Sequence, residues 1–272
     1  MKKILVPTDF STNATRAIDI AMAMGASSGA ELILFHSSNP NEGINNTVYS
    51  PIFVHEYYEV KKQTLERLAD QLKEKGYTGT ISTEYVVDFT VSALLDTADK
   101  HDVDVIVMGA TGSSSIHGMI LGSVSAGVIE RSKIPVFLVP HEFSLPETKV
   151  NVFIATDYKT AVDEKAKTFL RFLKEKMNFD FTLVHVDNQE KDIVPDKDFI
   201  KHNFEGIVSD QLEIQGTYVS DALIILQEET PNSILCTIKK HRGWFEKIFS
   251  QSITKSLAHH ARVPLICLQE AN

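Results

Sequence analysis

Cysteine is nearly absent from this sequence: Cys236 and Cys267 are the only two among 272 residues. They are too far apart for a paired metal-ligand motif, and two thiols cannot build a disulfide framework. Core thiols in a reducing cytoplasm are the expectation. Long apolar runs are missing as well. No window approaches the ~20 apolar residues of a membrane-spanning helix, and Thr8 and Asp9 stop the opening apolar stretch too early for a secretory leader. A basic excess is also lacking. Lys and Arg total 27 against 36 Asp and Glu, a net charge of −9. The imbalance is shared, with 11 basic and 16 acidic residues in 1–140 and 16 and 20 in 141–272. Neither half offers the footprint of a nucleic-acid binder. The most telling gap is local. From Gly109 to Ile129 there is no Lys, Arg, Asp or Glu, and His117 is the one titratable side chain. An anion there must be held by dipoles and hydroxyls.

What is present reads as globular: 43% apolar and 23% charged residues, in a chain long enough for one large or two ordinary domains. Strand-like apolar runs alternate with helical periodicity. Residues 4–6 form a short strand ended by Pro7. Ala14, Ala17, Ile18, Ala21 and Met22 recur at helical spacing, with Gly25 and Gly29 at the exit. Residues 32–35 form a second strand ending at His36 and Ser37. Residues 39–51 read as a loop, and Leu65, Leu68 and Leu72 mark a helix ending near Gly76. Residues 80–87 form a third strand; Val91, Leu94, Leu95 and Ala98 mark a helix capped in the Asp88/Thr90 region. Residues 103–108 and 134–139 are strands, with a helix over 123–131 between them. Continuous apolar strands alternating with helices predict an α/β fold with a doubly wound parallel sheet. In such sheets ligands lie beyond the carboxyl ends of strands.

Residues 141–149 carry Pro146 and little periodicity, which predicts a linker between domains 1–141 and 149–272. Beyond it the pattern restarts. Residues 152–158 echo 5–10, residues 181–185 echo 32–36, residues 219–223 echo 91–94 with one extra residue, and 237–268 overlay 108–139 without a gap. This is an internal duplication. Ile238, His241 and Gln251 stand in the second copy where the first has Gly109, Gly112 and Gly122.

The first copy places Gly109-Ala110-Thr111-Gly112 at the end of a strand, and Gly122-Ser123-Val124 nine residues further on, at the start of a helix. Glycine allows φ > 0 and close approach to its N–H, and a helix N-terminus adds unpaired donors and a positive dipole end. Together they describe a cradle for phosphate oxygens. The hydroxyls of Thr111, Ser113, Ser114, Ser115, Ser123 and Ser125 can join it. No Lys is placed as in a P-loop, and phosphoryl transfer needs charge stabilisation at the γ-phosphoryl. The cradle is therefore built more for holding than for turnover, and no catalytic or metal-ligating residue is assigned.

These residues identify the chain as similar to the universal stress protein family, as a tandem member with two such domains. The match is G-x2-G-x9-G-[S/T], here Gly109, Gly112, Gly122 and Ser123, with Val6-Pro7-Thr8-Asp9-Phe10-Ser11 upstream. The resemblance implies an adenine nucleotide, ATP with Mg²⁺, bound through Pro7, Thr8, Asp9, Ser37, Met108, Gly109, Gly112, Gly122, Ser123 and Val124. It places Asp9 and Ser37 on the adenine and ribose side and the glycines along the phosphates. It also implies pairing of last strands, here 136–139 beside 265–268, as an intrachain pseudo-dimer. The role it implies is a cytoplasmic, nucleotide-dependent regulator in stress response, with an unidentified protein partner and room for a further homodimer. Slow ATP hydrolysis, and a nucleotide-free interaction scaffold, are the alternatives.

Other features carry bland and sharp readings. Asp9 can cap the first helix as well as meet a ribose. Lys239-Lys240-His241-Arg242 is a solvated loop or a docking patch. Trp244, Phe245, Ile248 and Phe249 fill the second crevice or an inter-domain contact, and His259-His260 lack further ligands at metal spacing.

Overall fold

The computed structural model describes residues 1–40, 51–111, 121–187, 197–239 and 264–271. Gly112, Ser113 to Ser115, His117, Lys240 to Arg242, Trp244 to Phe249 and the His259-His260 pair lie outside them. So does most of the loop expected over 39–51.

The first half runs β1 (Lys3–Pro7), α1 (Thr12–Ser28), β2 (Glu31–Ser38), α2 (Pro51–Glu74), β3 (Ile81–Val87), α3 (Thr90–Lys100), β4 (Val105–Gly109), α4 (Ser123–Arg131) and β5 (Val136–Val139). The second half runs β6 (Val150–Ala155), α5 (Glu164–Met177), β7 (Phe179–Asp187), α6 (Lys197–Phe204), β8 (Val208–Gln215), α7 (Val219–Glu229), β9 (Ser233–Lys239) and β10 (Leu265–Gln269). Between Val139 and Val150 there is neither helix nor strand, and Phe143 from this stretch sets its ring 6.3 Å from Phe137.

The strands form one ten-stranded sheet in the order β3-β2-β1-β4-β5-β10-β9-β6-β7-β8. Pairing is parallel within each half, as the continuous apolar strands predict. Among the described strands the one antiparallel pair joins the halves, with Leu138 opposite Leu265, Phe137 opposite Ile266 and Val136 opposite Cys267. Each half is doubly wound, and strand order reverses between β1 and β4 and again between β6 and β9.

Helices cover both faces, and each buried layer crosses the seam. One layer joins α1 and α2 to α5 and α6 through side chains such as Ile18, Leu65, Phe137 and Phe169. The other joins α3 and α4 to α7 through Leu94, Val128, Leu138 and Leu223. Cys236 belongs to the first layer and Cys267 to the second, so the thiols point to opposite faces of the sheet and are not bridged. Burial raises both thiol pKa values, that of Cys267 to about 12.

Glycine is required where the chain approaches itself. A Cβ on Gly25, inside α1, would fall 2.1 Å from the Tyr77 hydroxyl, which is buried and donates to the Ala30 carbonyl at 2.9 Å. Gly25 is thus a packing residue within the helix, and Gly29 alone, left-handed at φ 70°, ends it. Gly127 admits the Val91 side chain, 3.0 Å from where its Cβ would stand, where α3 meets α4.

The structure also refines the repeat. α3 and α7 are both 11 residues long and start at Thr90 and Val219. Val219 therefore overlays Thr90, not Val91, and Leu223 overlays Leu94, the buried residue on the same face. The offset is the one that relates Met108 to Thr237, so the extra residue read from the sequence is not there.

Candidate functional site

The crevice lies where strand order reverses in the first half. Pro7, Thr8 and Asp9 from the end of β1, Ser37 from β2, Met108 and Gly109 from β4, and Gly122, Ser123 and Val124 from the start of α4 line one cavity of about 280 Å³. Nine of the ten residues proposed from the sequence are therefore together. The tenth, Gly112, lies outside the described residues. The cavity is near the lower end of small-molecule sites, ~300 Å³.

Each wall has a local cause. After β1 the chain turns sharply through Phe10, which is left-handed at φ 64°. The Thr8 hydroxyl accepts from Phe10 N–H at 3.0 Å, and the Asp9 carboxylate accepts from Ser11 N–H at 3.0 Å. These side chain-to-backbone bonds hold a conformation that a bulky residue otherwise disfavours. Asp9 does not cap α1. Ser11 is the cap, its hydroxyl accepting from Ala14 N–H at 3.2 Å, and Asp9 remains exposed at the mouth. His36 donates from Nδ1 to the Thr8 carbonyl at 2.7 Å and packs 4.6 Å from the Phe10 ring.

On the opposite side of the switch point, Gly109 faces the start of α1. A Cβ there would come 3.2 Å from the Asn13 carbonyl oxygen. Close approach, not positive φ, is what asks for glycine, since Gly109 is absent from the positive-φ residues. Asn13 also donates to the Thr111 hydroxyl at 2.6 Å, tying α1 to the chain leaving β4. Gly122 N–H donates to the Ala110 carbonyl at 2.9 Å, which brings the start of α4 back beside the end of β4. Ser125 then donates to the Gly109 carbonyl at 3.0 Å.

Two helix N-termini reach this cavity without side-chain caps. Gly122 has no side chain to cap α4, and the first helical bond runs from Ala126 N–H to the Gly122 carbonyl at 2.9 Å. The N–H groups of Ser123, Val124 and Ser125 are thus left over by the helix itself. Phe89 heads α3, also with no side-chain cap, and Thr90 beside it lines the cavity. The cap expected from the Asp88/Thr90 region is not made: Asp88 bonds the N–H of Phe89 instead, at 2.6 Å. Ser37 donates to the Thr90 hydroxyl at 2.9 Å.

Sequence reasoning did not select Thr90 or Asn39 for the site, and both line it, together with Thr111 and Ser125, whose hydroxyls it had offered to the cradle. Thr90 had a usable signal, since it opens the helix after the third strand on the side where strands end. Asn39 had none beyond polarity.

Among the described lining residues there is no Lys or Arg, and Asp9 is the one carboxylate. Such a set suits an anionic group met by N–H donors and hydroxyls. It does not suit a resident Mg²⁺, which demands near-octahedral oxygen ligation, usually with one or two carboxylates and substrate phosphates. Among the described residues no group of three or more His, Cys, Asp and Glu is placed to hold a metal.

The second half repeats the turn but not the opening. Tyr158 is left-handed at φ 53°, its N–H bonds the Thr156 hydroxyl at 2.9 Å, and the Asp157 carboxylate accepts from Lys159 N–H at 3.0 Å. His185 donates to the Thr156 carbonyl at 3.0 Å. The Thr-Asp-aromatic turn is therefore part of the fold in both copies. What differs is the connection that follows. α1 starts at Thr12, five residues after Pro7, whereas α5 starts at Glu164, nine after Ala155. The longer connection pairs Val162 with Glu270, and Ala271 N–H donates to the Ala161 carbonyl at 2.9 Å. It thus runs from the end of β6 to the end of β10, across β9 and the second switch point. Ile238, in the place of Gly109, is buried in the same layer as Val162 of this connection.

The fold and crevice define a tandem doubly wound α/β protein with an uncapped helix N-terminus at its first switch point. Comparison with known proteins gives that class its family. A family model described as the universal stress protein family matches residues 1–140. A universal stress protein of Methanocaldococcus jannaschii is 28% identical over 159 residues, 53% of this chain and 97% of that relative. One from Mycobacterium tuberculosis is 31% identical over 142 residues, 51% of this chain and 95% of the relative. Among solved structures, a universal stress protein from Archaeoglobus fulgidus matches in fold with a TM-score of 0.69 and 20% identity, covering 99% of this chain and 97% of its own. The chain belongs to the universal stress protein family.

Proposed function

We propose that the first-half crevice binds an adenine nucleotide, ATP being the expected ligand, and that the chain is a nucleotide-dependent regulator in stress response. The observation that carries this reading is convergence. Residues separated by 71 to 117 positions, Pro7, Asp9 and Ser37 on one side and Met108, Gly109, Gly122, Ser123 and Val124 on the other, line a single cavity with the α4 N-terminus in its wall. Backbone N–H groups at a helix start are a general anion site, and the carboxylate of Asp9 can accept from ribose hydroxyls.

On this reading residues 1–141 are the nucleotide-binding domain and 149–272 a degenerate domain without the glycine motif. The β5–β10 seam makes them a built-in pseudo-dimer, and the second domain supports the first instead of binding its own ligand. Mg²⁺ enters with the nucleotide. Cytoplasmic placement accords with the two buried, unbridged thiols.

Calorimetric titration of ATP with Mg²⁺ into the wild type and a Gly122→Val variant tests the site. One nucleotide per chain is expected in the wild type and none measurable in the variant. Equal binding by both, or none by the wild type, rejects the assignment. Release of adenine nucleotide from purified protein on denaturation would support it independently.

A further inference from the structure

None of the described residues lining the first-half cavity belongs to the second half, yet the second half holds one of the cavity's walls from behind. We infer, resting on the nucleotide reading, that Lys239 and Gln269 are positioning residues for the site. They clasp the far end of α4 and so set where the N–H groups at its near end stand.

Helix α4 runs from the cavity to the seam, its nine residues spanning about 13 Å. Its far end closes at Ser132, which is buried and extended, with φ −61° and ψ 142°. The Lys239 amine donates to the Ser132 carbonyl at 3.3 Å. The Gln269 side-chain amide donates to the Ile134 carbonyl at 3.0 Å, in a buried bond. The Ser132 hydroxyl ties the two acceptors together, donating to the Ile134 carbonyl at 2.7 Å and accepting from Ile134 N–H at 3.1 Å. Lys239 and Gln269 are in register on β9 and β10, so one pair of strand ends grips one turn. Burial lowers the pKa of the Lys239 amine while Glu130 of α4 opposes the shift, which sets the amine against the helix. A cation beside the last carbonyls of a helix complements its dipole.

The clasp runs in one direction. The overlay of 237–268 on 108–139 sets Lys239 over Ala110 and, carried one residue further, Gln269 over Pro140. Neither Ala110 nor Pro140 has a side-chain donor, so the first half cannot return the grip from these positions. Packing that merely followed the duplication would repeat both ways. Gln269 also has a second task. Its carbonyl accepts from Asp163 N–H at 3.3 Å and so anchors the connection that crosses the second switch point. That connection, the Gln269 side chain, the turn at Ser132 and the rigid α4 form an unbroken path to the first cavity. A change at the second switch point thereby biases the site, and by linkage an occupied site biases the end of β9 in return.

Calorimetric titration of ATP with Mg²⁺ into the intact chain tests this. Lys239→Met and Gln269→Leu remove a donor and keep an apolar stem. Each should weaken ATP about three- to tenfold at an unchanged single site per chain, the scale on which residues remote from a ligand modulate its binding. Lys239→Arg keeps the charge and a donor and should bind within about twofold of the wild type. Lys165→Met is the control for losing a contact between the halves. Lys165 meets Asp102 at 2.7 Å from α5, which lies on the opposite face of the sheet from α4. Its loss should leave affinity within about twofold, as for an exposed ion pair. Lys239, half-buried at a strand end, decides the matter if the buried Gln269→Leu does not fold. Unchanged affinity in Lys239→Met, no recovery in Lys239→Arg, or an equal loss in Lys165→Met overturns the inference and leaves the nucleotide site standing. A wild type that binds no nucleotide overturns the nucleotide reading, and the inference with it.

Discussion

The hydroxyl of Ser37, at the end of β2, donates to the hydroxyl of Thr90, the first residue of α3, at 2.9 Å. Both line the cavity, so the bond orients two polar groups from different elements toward one volume. With its lone pair engaged by Ser37, Thr90 keeps its own proton for a ligand acceptor. Thr90→Val preserves shape and removes the hydroxyl. It should weaken nucleotide binding by about 1 kcal/mol, roughly fivefold, and leave the melting temperature nearly unchanged. Calorimetry and a thermal scan on one preparation check both.

The closeness of Gly109 to Asn13 predicts a stability effect separable from binding. Gly109→Ala forces a methyl to within 3.2 Å of the Asn13 carbonyl oxygen, and the α1 start must shift. A loss of about 1–3 kcal/mol in urea unfolding is expected, as for overpacking elsewhere. The converse change, Ile238→Gly in the second half, should not create a second site, because the β6–α5 connection still crosses the switch point. Binding stoichiometry should stay at one, with stability lowered by about 2–5 kcal/mol through the lost buried side chain. Two nucleotides per chain in that variant would contradict the covering role of the connection.

Phe137 sits at the junction of the halves, fully buried, opposite Ile266 of β10. Phe137→Ala should lower unfolding stability by about 3–5 kcal/mol. Because both buried layers continue across the seam, the two halves should still unfold together. Chemical denaturation followed by near- and far-ultraviolet circular dichroism reads out both points, and two separate transitions in the wild type would refute the shared core.

The Lys149 ammonium, at the end of the linker, lies 2.6 Å from the Asp180 carboxylate of β7 and, with a hydrogen bond from Ser209, lowers the Asp180 pKa below its usual 3.8. A depressed carboxylate stabilises the fold fully above its unfolded value, and the contribution is lost as pH falls through the folded one. The window therefore runs downward from about pH 4. Lys149 is exposed and Asp180 half-buried, so solvent screens the pair, and Asp180→Asn should remove only about 0.2–1 kcal/mol at pH 7 and nothing at pH 2. Urea midpoints measured across that range, with and without the substitution, check the sign.

Much of the fold was legible because its causes are local. Helix α4 occupies the span read from the sequence, residues 123–131, since a glycine cap and a short apolar period define it. The strands read as apolar runs because parallel strands covered on both faces have no polar side. Cap identities were less legible. Ser11 rather than Asp9 caps α1, and Asp88 bonds its neighbour, because several Asx and hydroxyl residues in one turn compete for the same N–H groups. The repeat is visible in the sequence, but its register at α7 is not, since Val219 matches Val91 in letters while the helix starts set it opposite Thr90.

The sequence by itself determined the duplication, the glycine spacing and the lack of cations between Gly109 and Ile129, because composition and spacing are properties of the chain alone. Only the tertiary structure decided that Ser37 meets Thr90, that Gly109 is asked for by Asn13 and not by a turn, and that Val162 pairs with Glu270 across the second switch point. Those relationships join residues 53 to 108 positions apart. They exist only once sheet order sets which strand ends are neighbours.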